Sequence, residues 1–365
     1  MKAWVARHRI ATTLIALVFL VFLTLTYNLF RAVTVPRAGF VYYVEPGASK
    51  DSVALALGNA NVLPHPYFFL QFANLHTKTD LKTGEYLIRQ GTSVHALWRQ
   101  LSRGTGHYYR AFTIVPGWTF AQVRRALEAN PYMRHTSTLM DDDNLMALMS
   151  GKPMSPEGQF LPETYFYQRN DVDVSVLKRA YALMQFTLNQ AWQMRDVTVP
   201  YQSPYEALIA ASLVEREAYL ASERPVIAGV LINRLNQHMR LQFDPTVIFG
   251  MGDRYQGKIT KADLREDTPY NTYVHAGLPP TPIAMPSAST INAALHPLHH
   301  DYLYFVARGD GSHQFSKTLI EHNAAVQNAI LRKSGLLENH KIQNQIESLL
   351  TGNLNILIHP QHRLM

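Results

Sequence analysis

The alternation of hydrophobic and polar positions breaks most clearly near the start of the chain. Residues 10–30 form an apolar run without a single charged side chain, close to the ~20 residues that cross a bilayer as a helix. The run passes directly into Arg31 without an A-x-A-like site, which favours an uncleaved membrane anchor over a signal peptide. Lys2, Arg7 and Arg9 precede it, so the positive-inside tendency predicts a cytoplasmic N-terminus with the remainder outside.

A second break in the pattern lies in a helical stretch that contains two glutamates. Ser203-Pro204 is typical of an N-cap followed by a proline at the first helical position, and the apolar positions beyond it predict a helix as far as Pro225. On this helix Glu217 borders the apolar stripe, whereas Glu215 projects toward the polar side. Surrounding hydrocarbon raises the pKa of a carboxylic acid, by up to ~3–5 units in the extreme, and favours the protonated state that a general acid needs. Position alone favours the alternative, in which both glutamates are solvated or paired with arginines, because helical glutamates are common.

The segment between these two stretches begins with a pattern that occurs twice. Residues 39–104 predict the order strand, helix, helix, strand, helix. The unit VEPGASKDSVALAL at the start of this segment recurs as IVPGWTFAQVRRAL in Ile114–Leu127, with Ser49 and Thr119 at equivalent capping positions. Either one unit was duplicated or one capped turn is used twice.

The rest of the chain predicts short elements around one long loop. Tyr165, Phe166 and Tyr167 are expected in a loop, as a platform for sugar faces or as core. The later elements are, in chain order, a helix from Asp173 to Met194, a helix ending near Asn236, a strand or loop around Gln242 and Asp244, an ordered proline-rich loop from Thr268 to Thr290, a short helix, a hairpin around Gly309-Asp310-Gly311 and a helix from Glu321 to Leu331.

Composition excludes several classes of chemistry. The chain has 365 residues, enough for two or more folded units, a net charge of +7 and no cysteine. Disulfides and thiolate metal sites are therefore excluded, and the absence of a Lys/Arg run or a nucleic-acid motif argues against nucleic acid as a partner. Neither G-x-S-x-G nor a phosphate-binding glycine loop occurs. The histidines between His296 and His322 and the run Asp141-Asp142-Asp143 lack the spacing of a metal site, so we expect neither a metal nor a cofactor.

Seven blocks between Ser212 and Asn323 carry a family resemblance. They are SLVEREA, ASERPVIAGVLINRL, MRLQFDPTVIFGMGDRYQGKIT, TPYNTY, GLPPTPIAMPSA, YLYFVA and EHN. In this order they resemble the endolytic murein transglycosylase family, also called MltG or YceG-like, and the resemblance runs from the anchor to about Ser334. It implies an α+β fold with a single N-terminal transmembrane helix, a small LysM-like subdomain and a mixed α+β catalytic domain. The implied organisation is a cytoplasmic N-terminus (1–9), a transmembrane helix (10–30), a linker (31–38), a LysM-like subdomain (39–105), a YceG-like catalytic domain (106–335) and a C-terminal tail (336–365).

The resemblance also implies the chemistry. The catalytic glutamate of the family carries over onto Glu217, and the implied activity cleaves the bond between N-acetylmuramic acid and N-acetylglucosamine to leave a 1,6-anhydro end. One carboxyl can serve as acid and then as base because the 6-hydroxyl of the muramic acid displaces the leaving sugar. A hydrolase would need a second carboxylate, for which Asp244 is the candidate. On polarity and loop position, substrate contacts are expected from Gln242, Asp244, Tyr270, Asn271 and Tyr304.

Four residues depart from the family pattern, and two other functions stay open. Ala218 replaces the usual hydroxyl residue after the acid, Phe243 replaces a small polar residue, and Thr281 and Ser287 stand where glycines are common. The implied location is the inner membrane, with the catalytic domain in the periplasm. The implied partners are peptidoglycan glycan strands, with peptidoglycan synthases as candidates. The alternatives are a non-catalytic peptidoglycan-binding or divisome scaffold and a hydrolase that uses Glu217 with Asp244.

Overall fold

Contacts between residues divide the chain into two units. The computed structural model describes residues 2–76 and 79–333, so the C-terminal tail expected at 336–365 lies outside the described residues. The first unit comprises Met1–Phe112, Asn130–Arg134 and Tyr165–Asp173, and the second comprises Thr113–Ala129, His135–Thr164 and Val174–Met365. Helices and short two-stranded sheets occur together in the described residues, which confirms the mixed α+β class.

The first unit contains the predicted order strand, helix, helix, strand, helix. Its elements are α1 (Lys2–Phe30), β1 (Phe40–Val44), α2 (Lys50–Asn59), α3 (Pro66–Asn74), β2 (Gly84–Ile88) and α4 (Val94–Arg103). β1 and β2 pair antiparallel with Phe40 opposite Ile88. Leu57 of α2, Phe69 of α3 and Leu97 of α4 are fully buried in one apolar core, so burial of the apolar faces of these helices holds the unit together.

The N-terminal helix has the length and composition of a membrane span. Ala11–Phe30 has a mean hydropathy of 2.2, and only 6% of it is buried. An apolar helix of this length whose side chains remain exposed is a candidate membrane anchor.

The recurring sequence unit adopts the same local structure both times. Gly47 and Gly117 follow their prolines with φ angles of +76° and +79°, a left-handed conformation that glycine adopts without strain. The Ser49 hydroxyl accepts from the Ser52 N–H at the start of α2, and the Thr119 hydroxyl accepts from the Gln122 N–H at the start of α5 (Phe120–Glu128). The predicted capped turns are therefore confirmed in both places.

The aromatic run at 165–167 lies in a strand, so its assignment to a loop was wrong. β3 (Arg110–Thr113) and β4 (Thr164–Tyr167) form a two-stranded sheet. Tyr165 and Tyr167 are buried whereas Phe166 is 58% exposed. This alternation follows from the two-residue period of a strand, which sends neighbouring side chains to opposite faces.

The second unit is built around a central helix whose middle is completely buried. Its elements after α5 are α6 (Asp142–Ser150), α7 (Asp173–Gln193), α8 (Pro204–Glu217), α9 (Arg224–Asn236), α10 (Asp244–Met251), α11 (Ala288–Leu295), β5 (Tyr304–Ala307), β6 (His313–Ser316) and α12 (Leu319–Lys333). Every residue of α8 from Ala207 to Val214 is buried, and α8 packs against α9 and α11. β5 and β6 form the predicted antiparallel hairpin.

Two helix predictions in this unit were wrong. α8 ends at Glu217 and not at Pro225, because Ala218 is extended (φ −84°, ψ 100°) and Pro225 lies in the first turn of α9. Asp244 does not lie in a strand or loop, since it begins α10 with Pro245 beside it in the first helical turn. In both cases the proline starts a helix, where its missing N–H costs nothing.

The first unit contains a buried ion pair whose removal should be costly. Glu85 is 2% exposed and accepts from Arg110 Nε at 2.8 Å and from Nη2 at 2.9 Å. Among the described residues, Arg110→Ala leaves this carboxylate with a single cation, Arg169 Nη1 at 3.9 Å, so we expect a loss of about 3 kcal/mol of unfolding free energy. Urea unfolding of the variant and of Arg89→Ala, which removes an exposed arginine, measures the effect. Equal losses in the two variants would contradict it.

Candidate active site

Glu217 occupies the last position of α8. The helix begins at Ser203, whose hydroxyl accepts from the Glu206 N–H, with Pro204 at the first helical position, as the sequence predicts. At the other end the Ala218 N–H donates to the Val214 carbonyl and the chain then turns away. The Glu217 carboxyl therefore lies at the C-terminal end of a buried helix, where the helix dipole disfavours a negative charge.

The surroundings of Glu217 favour its protonated form. The pKa of this carboxyl is raised from 4.5 to about 8, mainly by burial and also by the charge of Asp244, while Arg216 opposes both effects. The first cause is desolvation, which penalises the ionised carboxylate. Glu217 therefore carries its proton at neutral pH and can donate it.

Glu215, two residues earlier, is held in a different way. Its side chain is 5% exposed and contacts polar groups, as expected for the polar side of the helix, and the pairing with an arginine that the sequence left open is found with Arg224. Oε2 accepts from the Ser287 N–H at 2.9 Å, from the Ser287 hydroxyl at 2.7 Å and from the Thr290 hydroxyl at 2.5 Å, while Oε1 lies 3.3 Å from Arg224 Nη2. Glu215 thus ties the end of α8 to the starts of α9 and α11.

Asp244 and Tyr273 form a hydrogen-bonded pair close to Glu217. The Tyr273 hydroxyl donates to Asp244 Oδ1 at 2.5 Å. Burial raises the pKa of Tyr273, and the hydrogen bond and charge of Asp244 add to the effect, with a further contribution from Glu217. The phenol therefore stays protonated and remains a donor to Asp244.

Gln242 and Tyr304 are connected to this pair through Arg234. Arg234 is 7% exposed, and its guanidinium lies 5.1 Å from the centroid of the Tyr304 ring and 3.3 Å from Gln242 Oε1. It also donates to the Leu241 and Leu303 carbonyls at 2.7 and 2.6 Å, which fixes it in place.

The side chains of Tyr270 and Asn271 hold the proline-rich loop. The Tyr270 hydroxyl lies 3.0 Å from the Thr281 hydroxyl, and its ring packs edge-on against Phe249. Asn271 is 1% exposed, and its amide nitrogen donates to three backbone carbonyls in the segment just before the loop, most closely to that of Glu266 at 2.7 Å. This buried anchoring confirms that the loop is ordered.

Tyr273 and Arg234 are the two site residues that the sequence analysis did not identify. Tyr273 lies within the TPYNTY block and Arg234 within ASERPVIAGVLINRL, so the family blocks contain both without marking either. A signal for Arg234 exists in the sequence, because a charged residue within an otherwise apolar helix is rarely buried without partners.

Of the five histidines expected at the surface or in hydrogen bonds, four form hydrogen bonds, and His322 stacks on the ring of Tyr304. His296 Nε2 lies 2.7 Å from the Met194 carbonyl, His299 Nε2 lies 2.8 Å from Asp196, and His313 Nδ1 lies 2.7 Å from Glu223. Within the described residues no three His, Asp or Glu side chains converge as metal ligands.

The raised pKa of Glu217 predicts a pH-dependent difference in stability between wild type and Glu217→Gln. Below pH 4.5 both the folded and the unfolded carboxyl carry a proton, whereas between pH 4.5 and about 8 only the unfolded chain releases it. The unfolding free energy of wild type therefore falls as the pH rises through this window, whereas that of Glu217→Gln does not. The difference between the two proteins should shift in favour of the variant by on the order of 3 kcal/mol. Urea unfolding at pH 5 and pH 8 measures the change, with Glu163→Gln, an exposed site, as the control. A pH-independent difference would contradict the assignment.

Removal of the Glu215 carboxylate should loosen the end of α8. Glu215→Ala leaves the Arg224 guanidinium and the Ser287 N–H without their acceptor, at a cost of about 3 kcal/mol in unfolding free energy. Thermal and urea unfolding of this variant are compared with those of Glu163→Ala. The interpretation fails if both variants are as stable as wild type.

Comparisons with known proteins agree on one family. The YceG-like family model matches residues 42–328. An endolytic murein transglycosylase of Bacillus subtilis (strain 168) is 30% identical over 310 residues, which cover 80% of this chain and 85% of that protein. An endolytic murein transglycosylase of Streptococcus pneumoniae (strain D39) is 27% identical over 300 residues, which cover 72% of this chain and 53% of that protein. The crystal structure of a yceG-like protein of Listeria monocytogenes aligns with a TM-score of 0.54 at 28% identity and covers 79% of this chain and 99% of that chain. The predicted relationship is confirmed, and the chain belongs to the YceG-like family.

Proposed function

We propose that this chain is a membrane-anchored lytic transglycosylase that cleaves peptidoglycan glycan strands, with Glu217 as its acid and base. The observation that carries the proposal is a carboxyl that is protonated at neutral pH, at the end of a buried helix, in a chain whose relatives are endolytic murein transglycosylases. Structural ion pairs also perturb pKa values. Glu217, however, has no ion pair within 4 Å among the described residues.

The reaction proceeds without water and returns Glu217 to its starting state. The Glu217 O–H gives its proton to the glycosidic oxygen as the bond from that oxygen to C1 of the N-acetylmuramic acid breaks. The resulting carboxylate accepts the proton of the 6-hydroxyl while O6 bonds to C1, which forms the 1,6-anhydro ring. A pKa near 8 suits both steps, because general acid–base catalysis is most effective when the pKa lies near the working pH.

Asp244 supports this acid and is poorly arranged to act as a second catalytic carboxylate. The negative charge of Asp244 raises the pKa of Glu217 and thereby keeps it protonated before cleavage. One Asp244 oxygen already accepts from the Tyr273 hydroxyl at 2.5 Å, which reduces its capacity to activate a water. This hydrogen bond favours the transglycosylase over the hydrolase that would use Glu217 with Asp244.

The other expected residues contribute to substrate binding in two ways. Gln242 and Tyr304 contact the glycan directly, since Gln242 is exposed and Tyr304 is half-buried, and Arg234 holds both in place. Tyr270 and Asn271 act indirectly by holding the proline-rich loop in shape.

The remaining parts of the chain have proposed functions of their own. Residues 10–30 anchor the protein in the inner membrane with a cytoplasmic N-terminus, and the catalytic domain at 106–335 works in the periplasm. Residues 39–105 act as a LysM-like glycan-binding subdomain. Peptidoglycan synthases are the candidate partners, because cleavage of nascent strands would end their polymerisation.

The products of glycan digestion test the proposed function. Wild type should release fragments with 1,6-anhydro-N-acetylmuramic acid ends, and Glu217→Gln should lower the rate by at least about 100-fold because it cannot donate or accept the proton. Mass spectrometry distinguishes anhydro from hydrated ends by the mass of one water.

The controls separate the two alternatives. Glu163→Gln should cleave like wild type. Reducing ends in the products would support hydrolysis. The scaffold would be supported if Glu217→Gln kept full activity in cells and deletion of residues 39–105 abolished that activity.

A further inference from the structure

A second concave site lies in the unit that contains Glu217, and the proposed reaction does not use it. It is a cleft of about 740 Å³ lined by the first turns of α5, the segment before Gly158, and α10 with the residues that follow it. This volume lies within the range of about 300–1,000 Å³ that is typical of small-molecule sites. Arg216 also lines the cleft, so it begins one residue away from the proposed acid.

The walls of the cleft are fixed to α8. Gly158 has a φ of +75°, and a Cβ at this position would lie 2.4 Å from Pro282 Cβ, so only glycine permits the close packing. The neighbouring Ile283 N–H donates to the Ser212 hydroxyl of α8 at 3.0 Å. On the other wall Arg216 Nη1 donates to the Gly117 carbonyl at 3.1 Å. The cleft is therefore preformed and does not depend on a ligand.

The cleft contains a buried carboxyl without a counter-charge. Glu157 is 7% exposed, and its two oxygens lie 3.1 and 3.0 Å from the Phe120 backbone nitrogen. No cation lies within 4 Å of it among the residues that the structure describes. Burial raises the pKa of Glu157 to about 7, so near neutral pH a large fraction of these carboxyls carry a proton and can donate as well as accept.

The lining of the cleft matches a neutral polar ligand with apolar faces. Arg124 is paired with Asp142, and Arg125 and Arg216 are opposed by Asp253 and by the ionised fraction of Glu157, so charges of both signs line the cleft. The lining also includes the aromatic rings of Phe249 and Tyr255 and the hydroxyls of Thr119 and Ser155. Sugars combine hydrogen-bonding groups with C–H faces that pack against aromatic rings.

We propose that this cleft is a saccharide subsite, in which Glu157 contacts the acetamide or a hydroxyl group of one N-acetylhexosamine residue. The inference rests on the proposed function, because a glycan strand bound at Glu217 supplies such residues on both sides of the cleaved bond. A sugar held here positions the strand and raises the affinity for long chains without taking part in proton transfer.

A bulky side chain in the cleft tests the subsite in the full-length protein in detergent. Ala121 is exposed and lines the cleft, so Ala121→Trp fills the space without removing an internal contact. We expect the KM for anhydro-end release from long glycan strands to rise about tenfold with kcat little changed, as for a lost ground-state contact. Glu128→Trp places the same side chain at an exposed position of α5 outside the cleft and should leave both constants unchanged.

A binding measurement tests Glu157 itself. The probe is chitotetraose, a tetramer of N-acetylglucosamine that lacks the muramic acid needed for the proposed reaction. Isothermal titration should show binding to wild type and to Glu163→Gln, with an affinity about fivefold or more lower for Glu157→Gln and for Ala121→Trp. Thermal unfolding in the same buffer checks that Glu157→Gln remains folded.

The outcomes separate this inference from the proposed function. Equal KM values for Ala121→Trp and Glu128→Trp, with anhydro ends still released by wild type, would overturn the subsite and leave the reaction intact. If wild type releases no anhydro ends but binds chitotetraose in a manner that Ala121→Trp weakens, the subsite stands and the proposed reaction fails.

Discussion

The hydrogen bonds of Glu215 determine where the end of α8 lies, and the position of Glu217 depends on them. Three donors from Ser287 and Thr290, together with the Arg224 guanidinium, satisfy the Glu215 carboxylate in a nearly closed environment. A buried carboxylate is stable only when it is paired and hydrogen-bonded, so Glu215 must keep these partners. Their positions therefore fix the end of α8 relative to α9 and α11. Two residues later the helix ends, and the half-buried, desolvated Glu217 has no comparable partner among the described residues.

Two glutamates in one block thus have opposite environments and opposite uses. Glu215 is neutralised by Arg224 and by hydrogen bonds, and it stabilises the contact between three helices. Glu217 has a raised pKa, so above pH 4.5 it lowers the unfolding free energy of the protein. The buried packing of α8 against α9 and α11 is large enough to hold an unfavourable group at its end. A carboxyl group prefers solvent or a counter-charge, and the fold gives Glu217 neither; such conflicts are common at functional sites.

The sequence predicts those features that depend on neighbouring residues and misses those that depend on distant ones. The cap at Ser203, the turns at Gly47 and Gly117 and the hairpin at 304–316 are local, and all were found. The helix end at Glu217 was missed because the apolar pattern continues into the next turn. The burial of Glu215 was missed because its partners Ser287 and Thr290 lie 72 and 75 residues away. Tyr273 was missed as a partner of Asp244 for the same reason, at a separation of 29 residues.

Two hydroxyl residues of the proline-rich loop, Thr281 and Ser287, add hydrogen bonds near the site. The Ser287 hydroxyl both donates to Glu215 at 2.7 Å and accepts from the Thr290 N–H at the start of α11. Ser287→Gly would keep the backbone N–H of residue 287 as a donor to Glu215 but would remove the hydroxyl. Thr281 likewise adds a hydroxyl within 3.0 Å of that of Tyr270. Each hydrogen bond of this kind contributes about 1 kcal/mol, more when the partner is charged. In this chain, the side chains of Thr281 and Ser287 therefore help to fasten the loop and the acid-bearing helix.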